Sequence, residues 1–287
     1  MSWLLIDAGN TAVKWAHSDA AANRFFGTGL ELRKSTVPLA QRLAQAWRVP
    51  RARRAFGCSV ADAATMQMIE QAALDAAGVE VTWLRSQSGF TGRGPGAGLS
   101  LINAYRDPEQ LGADRWHAAI AACAKFPRES LVIASAGTAT TVDCVRAEAG
   151  GTVFLGGVIA PGFDLMRDSL ARGTDRLPHA SGRIAVHPDN TDDAIASGVH
   201  AAQMGLIERI AHEFAEELLA EGRPGPRLLL AGGRARKLAS TFSSSPAQPP
   251  VVGITIEDNL VLRGIALRAH AESSTDAASD VADVSPA

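Results

Sequence analysis

A pattern of strand, glycine turn and strand opens the chain and returns at residues 132–143. LLIDAGNTAVKW at residues 4–15 aligns without a gap with VIASAGTATTVD, so that Asp7 lies opposite Ser135 and Gly9 opposite Gly137. Each copy joins two apolar or alternating runs through a glycine-bearing turn, which is typical of a β-hairpin. A repeat at this separation predicts an α/β protein with two similar domains that face each other across a cleft.

Apolar periodicity predicts strands first and then alternating helices and strands in both halves. Residues 86–100 carry five glycines and a proline, so we expect a loop there. The other predicted elements are strands at 3–7, 12–17, 25–30, 53–60, 79–84, 130–135, 138–145, 151–159 and 227–231, and helices at 37–48, 61–77, from about 114, at 161–172, 191–220 and 257–270.

The repeat also predicts the domain boundaries. With 287 residues, 46% of them hydrophobic, the chain can bury two cores. We expect an amino-terminal domain at 1–113, a second domain at 114–271 and a tail at 272–287. The tail is acidic and lacks aromatic residues, which favours disorder.

Composition excludes several classes of function. The formal net charge of −2 gives no general attraction to nucleic acid or to an anionic membrane. The sequence shows neither a secretory leader nor an apolar run long enough to span a bilayer. Three cysteines lie far apart without metal-ligand spacing and are expected to be packing residues. These features predict a cytoplasmic protein.

The first turn combines groups that could bind a phosphate. Backbone N–H groups near Gly9 can point at an anion, and Lys14 on the returning strand can add a positive charge. The carboxylate of Asp7 would instead hold a hydrated Mg²⁺ that bridges phosphate oxygens. The alternative is a plain hairpin whose turn favours Asp, Gly and Asn.

Two more glycine turns could complete a nucleotide site. The turn from Gly137 to Thr140 offers amides and hydroxyls, and Gly232-Gly233 follows a buried strand where a sugar or base could approach the backbone. In this order the three turns resemble the phosphate-1, phosphate-2 and adenosine motifs of the superfamily that contains acetate and sugar kinases, Hsp70 and actin. The resemblance implies ribonuclease H-like (actin-like ATPase) domains and ATP.

An acid and an arginine adjoin at the junction of the two repeats. Asp114 could accept a hydroxyl proton as a general base, and Arg115 could hold a substrate carboxylate. The alternative is that Asp114 caps the helix that begins there.

Ordered motifs over almost the whole chain resemble the type III pantothenate kinase family. DxGNTxxK matches 7–14, GxDR matches 112–115, GTAxT matches 137–141, GGxIxPG matches 156–162 and NTxxAIxxG matches 190–198. The resemblance implies transfer of phosphate from ATP, with Mg²⁺, to pantothenate in a homodimer, as the first step of coenzyme A synthesis. The nucleotide and metal contacts it implies are Asp7, Ala8, Gly9, Asn10, Thr11, Ala12, Val13, Lys14, Gly137, Thr138, Gly232 and Gly233.

The resemblance also assigns the substrate contacts. It makes Asp114 the proton acceptor, and it implies pantothenate contacts at Tyr105, Gly112, Ala113, Asp114, Arg115 and Thr191. In the family the threonine that matches Thr191 reaches the substrate site of the neighbouring subunit.

One position departs from the family pattern. The family usually has an aspartate before the second phosphate turn, where it helps bind K⁺ or NH₄⁺, and Ser135 stands there in this chain. We therefore expect reduced or absent dependence on a monovalent cation. Two alternatives to pantothenate phosphorylation remain, namely a kinase of the same fold with another small acceptor and a nucleotide-binding regulatory protein.

Overall fold

The structure, a computed structural model, describes residues 2–19, 24–48, 51–179, 181–244 and 249–282. Its elements follow in chain order as β1 (Ser2–Ala8), β2 (Ala12–Asp19), β3 (Arg24–Leu32), α1 (Leu39–Ala46), β4 (Arg54–Ser59), α2 (Ala63–Ala77), β5 (Val81–Trp83), β6 (Gly89–Thr91), β7 (Ser100–Asn103), α3 (Ala113–Lys125), β8 (Leu131–Ala136), β9 (Ala139–Glu148), β10 (Gly151–Pro161), α4 (Phe163–Gly173), α5 (Thr191–Ala220), β11 (Arg227–Ala231), α6 (Ala235–Ser244), β12 (Gly253–Glu257) and α7 (Leu260–Ala282).

The chain forms two compact units. Of the described residues, unit 1 contains those within 1–128, 148–154 and 259–287, and unit 2 contains those within 129–147 and 155–258. Residues 151–154 of β10 therefore belong to unit 1, and residues 155–161 belong to unit 2.

The main sheet of unit 1 has the strand order β3-β2-β1-β4-β5. Strands β1, β2 and β3 pair antiparallel, whereas β4 runs parallel to β1 and β5 parallel to β4. Leu4 and Ile6 pack on one face against residues of α1 and α2, and Trp3 and Leu5 pack on the other face against α7. Burial on both faces explains why β1 reads as a continuous apolar run.

The glycine-rich segment at 86–100 is not only a loop, and this part of the sequence prediction was wrong. Strand β6 lies within it and pairs antiparallel with β7, which starts at Ser100. The two strands are closed by a bond from Gly92 N to Leu99 O of 2.8 Å. Backbone pairing and the burial of Phe90 and Leu101 hold a strand that its glycines disfavour.

Unit 2 repeats the strand order of unit 1. Its strands lie in the order β12-β11-β8-β9, with residues 155–161 of β10 next to β9. Strands β8 and β9 pair antiparallel, and β8, β11 and β12 run parallel. Thus β8 to β12 take the places that β1 to β5 have in unit 1. This order confirms the duplicated α/β fold that the repeat predicted.

The compact units differ from the sequence division at residues 113 and 114. Helix α3 belongs to unit 1, where it packs along α7. Gly264 permits the close contact, because a Cβ built there would lie 1.8 Å from His117 O. The domain boundary between residues 113 and 114 was derived from the repeat and stays a prediction.

The carboxyl-terminal segment also differs from the expectation. Helix α7 continues to Ala282, past the predicted start of the tail at Glu272, and residues 283–287 lie outside the described residues. A helix propagates easily from a packed first part, and small residues such as alanine favour propagation.

The three cysteines are free thiols, and their burial agrees with the expectation that they are packing residues. Cys58 and Cys123 are buried and Cys144 is half-buried. Within the described residues, His, Cys, Asp and Glu side chains form no cluster of three suited to a metal ion. No helix in those ranges has the length and apolar character needed to cross a membrane.

Candidate active site

The first turn of unit 1 connects β1 to β2 over residues 9–12. Ala8 pairs with Val13, and Gly9 N donates to Ala12 O at 3.0 Å. A Cβ built on Gly9 would lie 3.1 Å from Ala12 O, so a side chain would crowd the turn. Asn10 and Thr11 are exposed. A ligand can therefore reach the backbone of this turn.

Arg33, the residue after β3, stabilises this turn through two hydrogen bonds. Its backbone N donates to Thr11 O at 2.8 Å and its Nη1 donates to Asn10 O at 2.9 Å. Its guanidinium also forms an ion pair with Asp62, the residue that caps α2. Bonds from Thr65 N, Arg33 and the Thr65 hydroxyl lower the pKa of Asp62 to about 2. Sequence reasoning missed Arg33 because no local pattern links it to the turn.

Asp7 is an acid buried beside the turn. It is 8% exposed and pairs across the strands with Lys14. Burial raises its pKa to about 6, an effect that the nearby Lys14 reduces and the charge of Asp114 reinforces. Burial together with Asp7 and Asp114 also raises the pKa of the Cys58 thiol well above its usual value. The fold of unit 1 thus brings Asp7, Lys14 and Asp114 into one electrostatic cluster.

Asp114 lies in the first turn of α3 and is not its cap. Gly112 is the N-cap residue, and Asp114 Oδ1 accepts from Arg115 N at 2.8 Å. The carboxylate is half-buried, so solvent still reaches it. A Cβ on Gly112 would lie 2.7 Å from Asp114 Oδ1, which gives a physical reason for glycine at that position.

Arg115 follows Asp114 in α3 and is buried, with 6% of its surface exposed. Its Nη1 donates to Tyr105 Oη at 2.9 Å, and its guanidinium carbon lies 5.7 Å from the Tyr105 ring centre and 5.8 Å from that of Phe154. These aromatic contacts fix the direction of the guanidinium.

Asn103 fixes the segment that carries Tyr105. Its Oδ1 accepts from Tyr105 N at 3.1 Å, and its Nδ2 donates to Gln87 O at 3.0 Å and to Pro108 O at 3.3 Å. Since Asn103 is buried, these bonds hold Tyr105 close to α3. The structure therefore brings together Tyr105, Gly112, Ala113, Asp114 and Arg115.

The second turn, in unit 2, spans residues 137–139. Ala136 pairs with Thr140, and Gly137 N donates to Ala139 O at 3.0 Å. Gly137 and Thr138 are exposed. Thr140 is fully buried and its hydroxyl donates to Gln203, so the expectation that this hydroxyl faces a phosphate was wrong.

Two other glycines of unit 2 lie against the second turn. Gly162 N donates to Thr138 O at 2.9 Å, and a Cβ on Gly162 would lie 2.3 Å from Gly137 O. Gly232 has a φ of +88°, and a Cβ there would lie 2.4 Å from Ala136 O. The GGxIxPG segment and the Gly232-Gly233 turn are thus both packed on the second turn.

Ser135 and Thr191 occupy different parts of unit 2. Ser135 is half-buried at the end of β8 and pairs with Thr141. Thr191 is the exposed first residue of α5, and the preceding Asn190 caps that helix through a bond from Asp193 N of 2.9 Å.

The residues of unit 1 fit a divalent cation at Asp7. Carboxylate oxygen is the ligand that Mg²⁺ prefers. The raised pKa of Asp7 shows that Lys14 offsets the burial of its charge only in part. A cation beside this carboxylate would therefore favour its ionised form.

Comparison with known proteins identifies the family. The profile of the type III pantothenate kinase family matches residues 3–213. The chain belongs to this family. Among type III pantothenate kinases, that of Herminiimonas arsenicoxydans is 39% identical over 274 residues, which cover 91% of this chain and 95% of the relative. That of Laribacter hongkongensis is 40% identical over 271 residues, with coverage of 92% and 96%.

Solved structures of other proteins share the fold of this pantothenate kinase family member. A Sinorhizobium meliloti protein provisionally described as a 2-dehydro-3-deoxygalactonokinase has a TM-score of 0.54 at 15% identity, covering 95% of this chain and 99% of that one. The activator of 2-hydroxyisocaproyl-CoA dehydratase from Clostridium difficile has a TM-score of 0.50 at 11% identity, with coverage of 97% and 98%. At these identities the likeness shows the ribonuclease H-like fold alone.

Proposed function

We propose that this chain transfers the γ-phosphoryl group of ATP to the primary hydroxyl of pantothenate, the first step of coenzyme A synthesis. The observation that carries the proposal is the cluster within unit 1 in which Asp114, distant in sequence, interacts with Asp7 beside Lys14 of the first hairpin. Family membership supplies the substrate. Because ATP is the donor, we place the reaction in the cytoplasm.

Asp114 is the group we assign to accept the hydroxyl proton. Its Oδ1 is held by Arg115 N, which leaves Oδ2 as the oxygen that takes the proton. Phosphoryl transfer passes through a loose transition state, so most of the rate comes from positioning and charge neutralisation. Asp114 therefore needs to orient the hydroxyl more than to activate it.

Arg115 and Tyr105 are the groups we assign to the carboxylate end of pantothenate. The Arg115 guanidinium is already directed by Tyr105 Oη and by the two aromatic rings. A guanidinium fixed before the substrate arrives binds a carboxylate at a smaller entropic cost. Gly112 and Ala113 would lie beside the substrate at the start of α3.

The first turn at residues 9–12, where Asn10 and Thr11 are exposed, is the part of unit 1 that we assign, with Lys14, to nucleotide phosphate. Gly137, Thr138, Gly232 and Gly233 are the corresponding candidates in unit 2. Asp7 would hold Mg²⁺ through water. When bound, the cation neutralises charge on the phosphate oxygens.

We also infer that the chain forms a homodimer through unit 2. An apolar cavity of about 570 Å³ lies between α4 and α5, and its lining includes Met166, Leu170, Ile195, Val199 and Thr191. Ile159, 64% exposed, adds apolar surface on β10. Such surface often marks a contact with another chain. Light scattering after gel filtration should give twice the mass of 30.0 kDa.

An ADP-release assay with four reaction mixtures tests the function. The mixtures contain pantothenate, pantetheine, glycerol or no acceptor, each with ATP and Mg²⁺. Turnover with pantothenate alone supports the proposal. Faster turnover with another acceptor would indicate a different kinase, and nucleotide binding without any turnover would indicate a regulatory protein.

A further inference from the structure

Gln203 is a polar residue in the hydrophobic core of unit 2. It lies on α5 with 1% of its surface exposed, next to the core residue Met204. An amide buried this deeply is unfavourable unless its donors and acceptor are satisfied. The partners of Gln203 should therefore explain its presence.

The amide of Gln203 joins three elements of unit 2. Its Nε2 donates to Pro161 O at 2.9 Å and lies 3.1 Å from Met166 Sδ, and its Oε1 accepts from the Thr140 hydroxyl. A carbonyl can only accept, so Pro161 O fixes which end of the amide is the donor. One side chain on α5 thus connects β9, the end of β10 and α4.

These contacts lie on both sides of the second turn. Thr140 follows the turn directly, and Pro161 precedes Gly162, whose N donates to Thr138 O at 2.9 Å. A chain of hydrogen bonds therefore runs from Thr140 through Gln203 to Pro161 and, one residue on, from Gly162 back to Thr138. The turn between them is exposed and begins with glycine, whose backbone is permissive.

We propose that Gln203 is a positioning residue for nucleotide binding, because its bonds fix the backbone on both sides of the turn that carries the exposed residues Gly137 and Thr138. The proposal rests on the assignment of this turn to nucleotide phosphate. Gln203 touches no ligand itself. It acts through Thr140 and Pro161, and its loss should change nucleotide affinity more than pantothenate affinity.

Gln203→Leu tests the proposal by removing both ends of the amide. Calorimetric titration with ADP, without pantothenate, should show Kd raised about tenfold, whereas KM for pantothenate should stay within about twofold of wild type. Thr140→Val removes only the hydroxyl and should raise Kd in the same direction. Thr140→Ser keeps the hydroxyl and should restore wild-type affinity. Should Gln203→Leu fail to fold, the two Thr140 variants still decide the question.

Met204→Ala is the matched control, since it damages the same core one residue away without touching the turn. It should lower Tm and leave Kd for ADP unchanged. The double variant of Gln203→Leu and Thr140→Val should bind ADP about as well as Gln203→Leu alone, because both changes break one connection. An unchanged Kd in folded Thr140→Val, or equal losses for ADP and pantothenate, would overturn the proposal. Absence of turnover in wild type with normal ADP binding would overturn the proposed function instead.

Discussion

The two hairpin turns occupy equivalent places in the two units but carry different chemistry. In unit 1, Asp7 pairs with Lys14 across residues 9–12. In unit 2, Ser135 pairs with Thr141 across residues 137–139. The second turn is shorter by one residue, so the gapless alignment that set Lys14 against Val142 was one residue out of register. A charged pair in one unit thus corresponds to two hydroxyl side chains in the other.

The turns are also held in different ways. Arg33 braces the first from a half-buried position with two bonds to backbone carbonyls. Gln203 braces the second from within the core. The two units thus share their strand order, but only the first turn lies beside a pair of ionisable side chains. We therefore expect the charge-dependent steps to depend on unit 1.

Asparagine substitutions at the equivalent positions Asp7 and Ser135 should give the largest difference in kcat between the two turns. Asp7→Asn should lower kcat at least about 100-fold, because a metal anchor contributes several kcal/mol to the transition state. Ser135→Asn should change kcat by less than about threefold, since no charge is lost. The measurement is initial rate at saturating ATP, Mg²⁺ and pantothenate. Equal losses at both positions would contradict the division of roles.

Asp7→Asn should lower kcat but raise the stability of the ligand-free protein. Its folded pKa of about 6 lies above the ordinary value of 3.8, so the folded state holds this proton more tightly than the unfolded state. Its contribution to the free energy of unfolding falls as pH rises from about 4 to about 6 and stays low above that. Asp7→Asn removes this loss and should be more stable than wild type by about 2–3 kcal/mol at pH 7.5.

Urea unfolding at pH 7.5 and pH 4 measures the effect. The advantage of Asp7→Asn should shrink towards zero at pH 4, where wild-type Asp7 is protonated in the folded state. Ser135→Asn serves as the control, and its difference from wild type should be the same at both pH values. A stability gain of Asp7→Asn that does not depend on pH would show that the charge is not the cause.

The sequence predicted local features better than distant contacts. Alternation and glycine placed the first hairpin, and its pairing put Lys14 beside Asp7. Periodicity is local, so it could not reveal that Arg33 and Gln203 reach the turns from distant elements. The glycine content favoured the prediction of a loop where β6 in fact pairs with β7. Backbone hydrogen bonds between strands do not depend on composition alone, so the sequence did not reveal this pairing.

Alanine substitutions of Gly162 and Gly9 should show which of the two turns tolerates an added side chain better. A Cβ on Gly162 would lie 2.3 Å from Gly137 O, whereas one on Gly9 would lie 3.1 Å from Ala12 O. Gly162→Ala must displace the second turn and should raise Kd for ADP about tenfold, and Gly9→Ala should raise it about threefold. Gly205→Ala on α5 is the control, since a Cβ there meets nothing within 4 Å. A larger effect at Gly9 would reverse the order inferred from the distances.

The smallest expected effect concerns monovalent cations at the second turn. A serine hydroxyl is neutral and binds K⁺ more weakly than a carboxylate, and Ser135 stands where the family resemblance places an aspartate. Replacing a Tris or lithium buffer with K⁺ should therefore raise wild-type kcat by less than about twofold. Ser135→Asp returns a carboxylate to a half-buried strand end and should make the rate depend on K⁺. If wild type already responds strongly to K⁺, other oxygen atoms bind the cation, and the charge difference between the two turns is smaller than the pairing of Ser135 with Thr141 indicates.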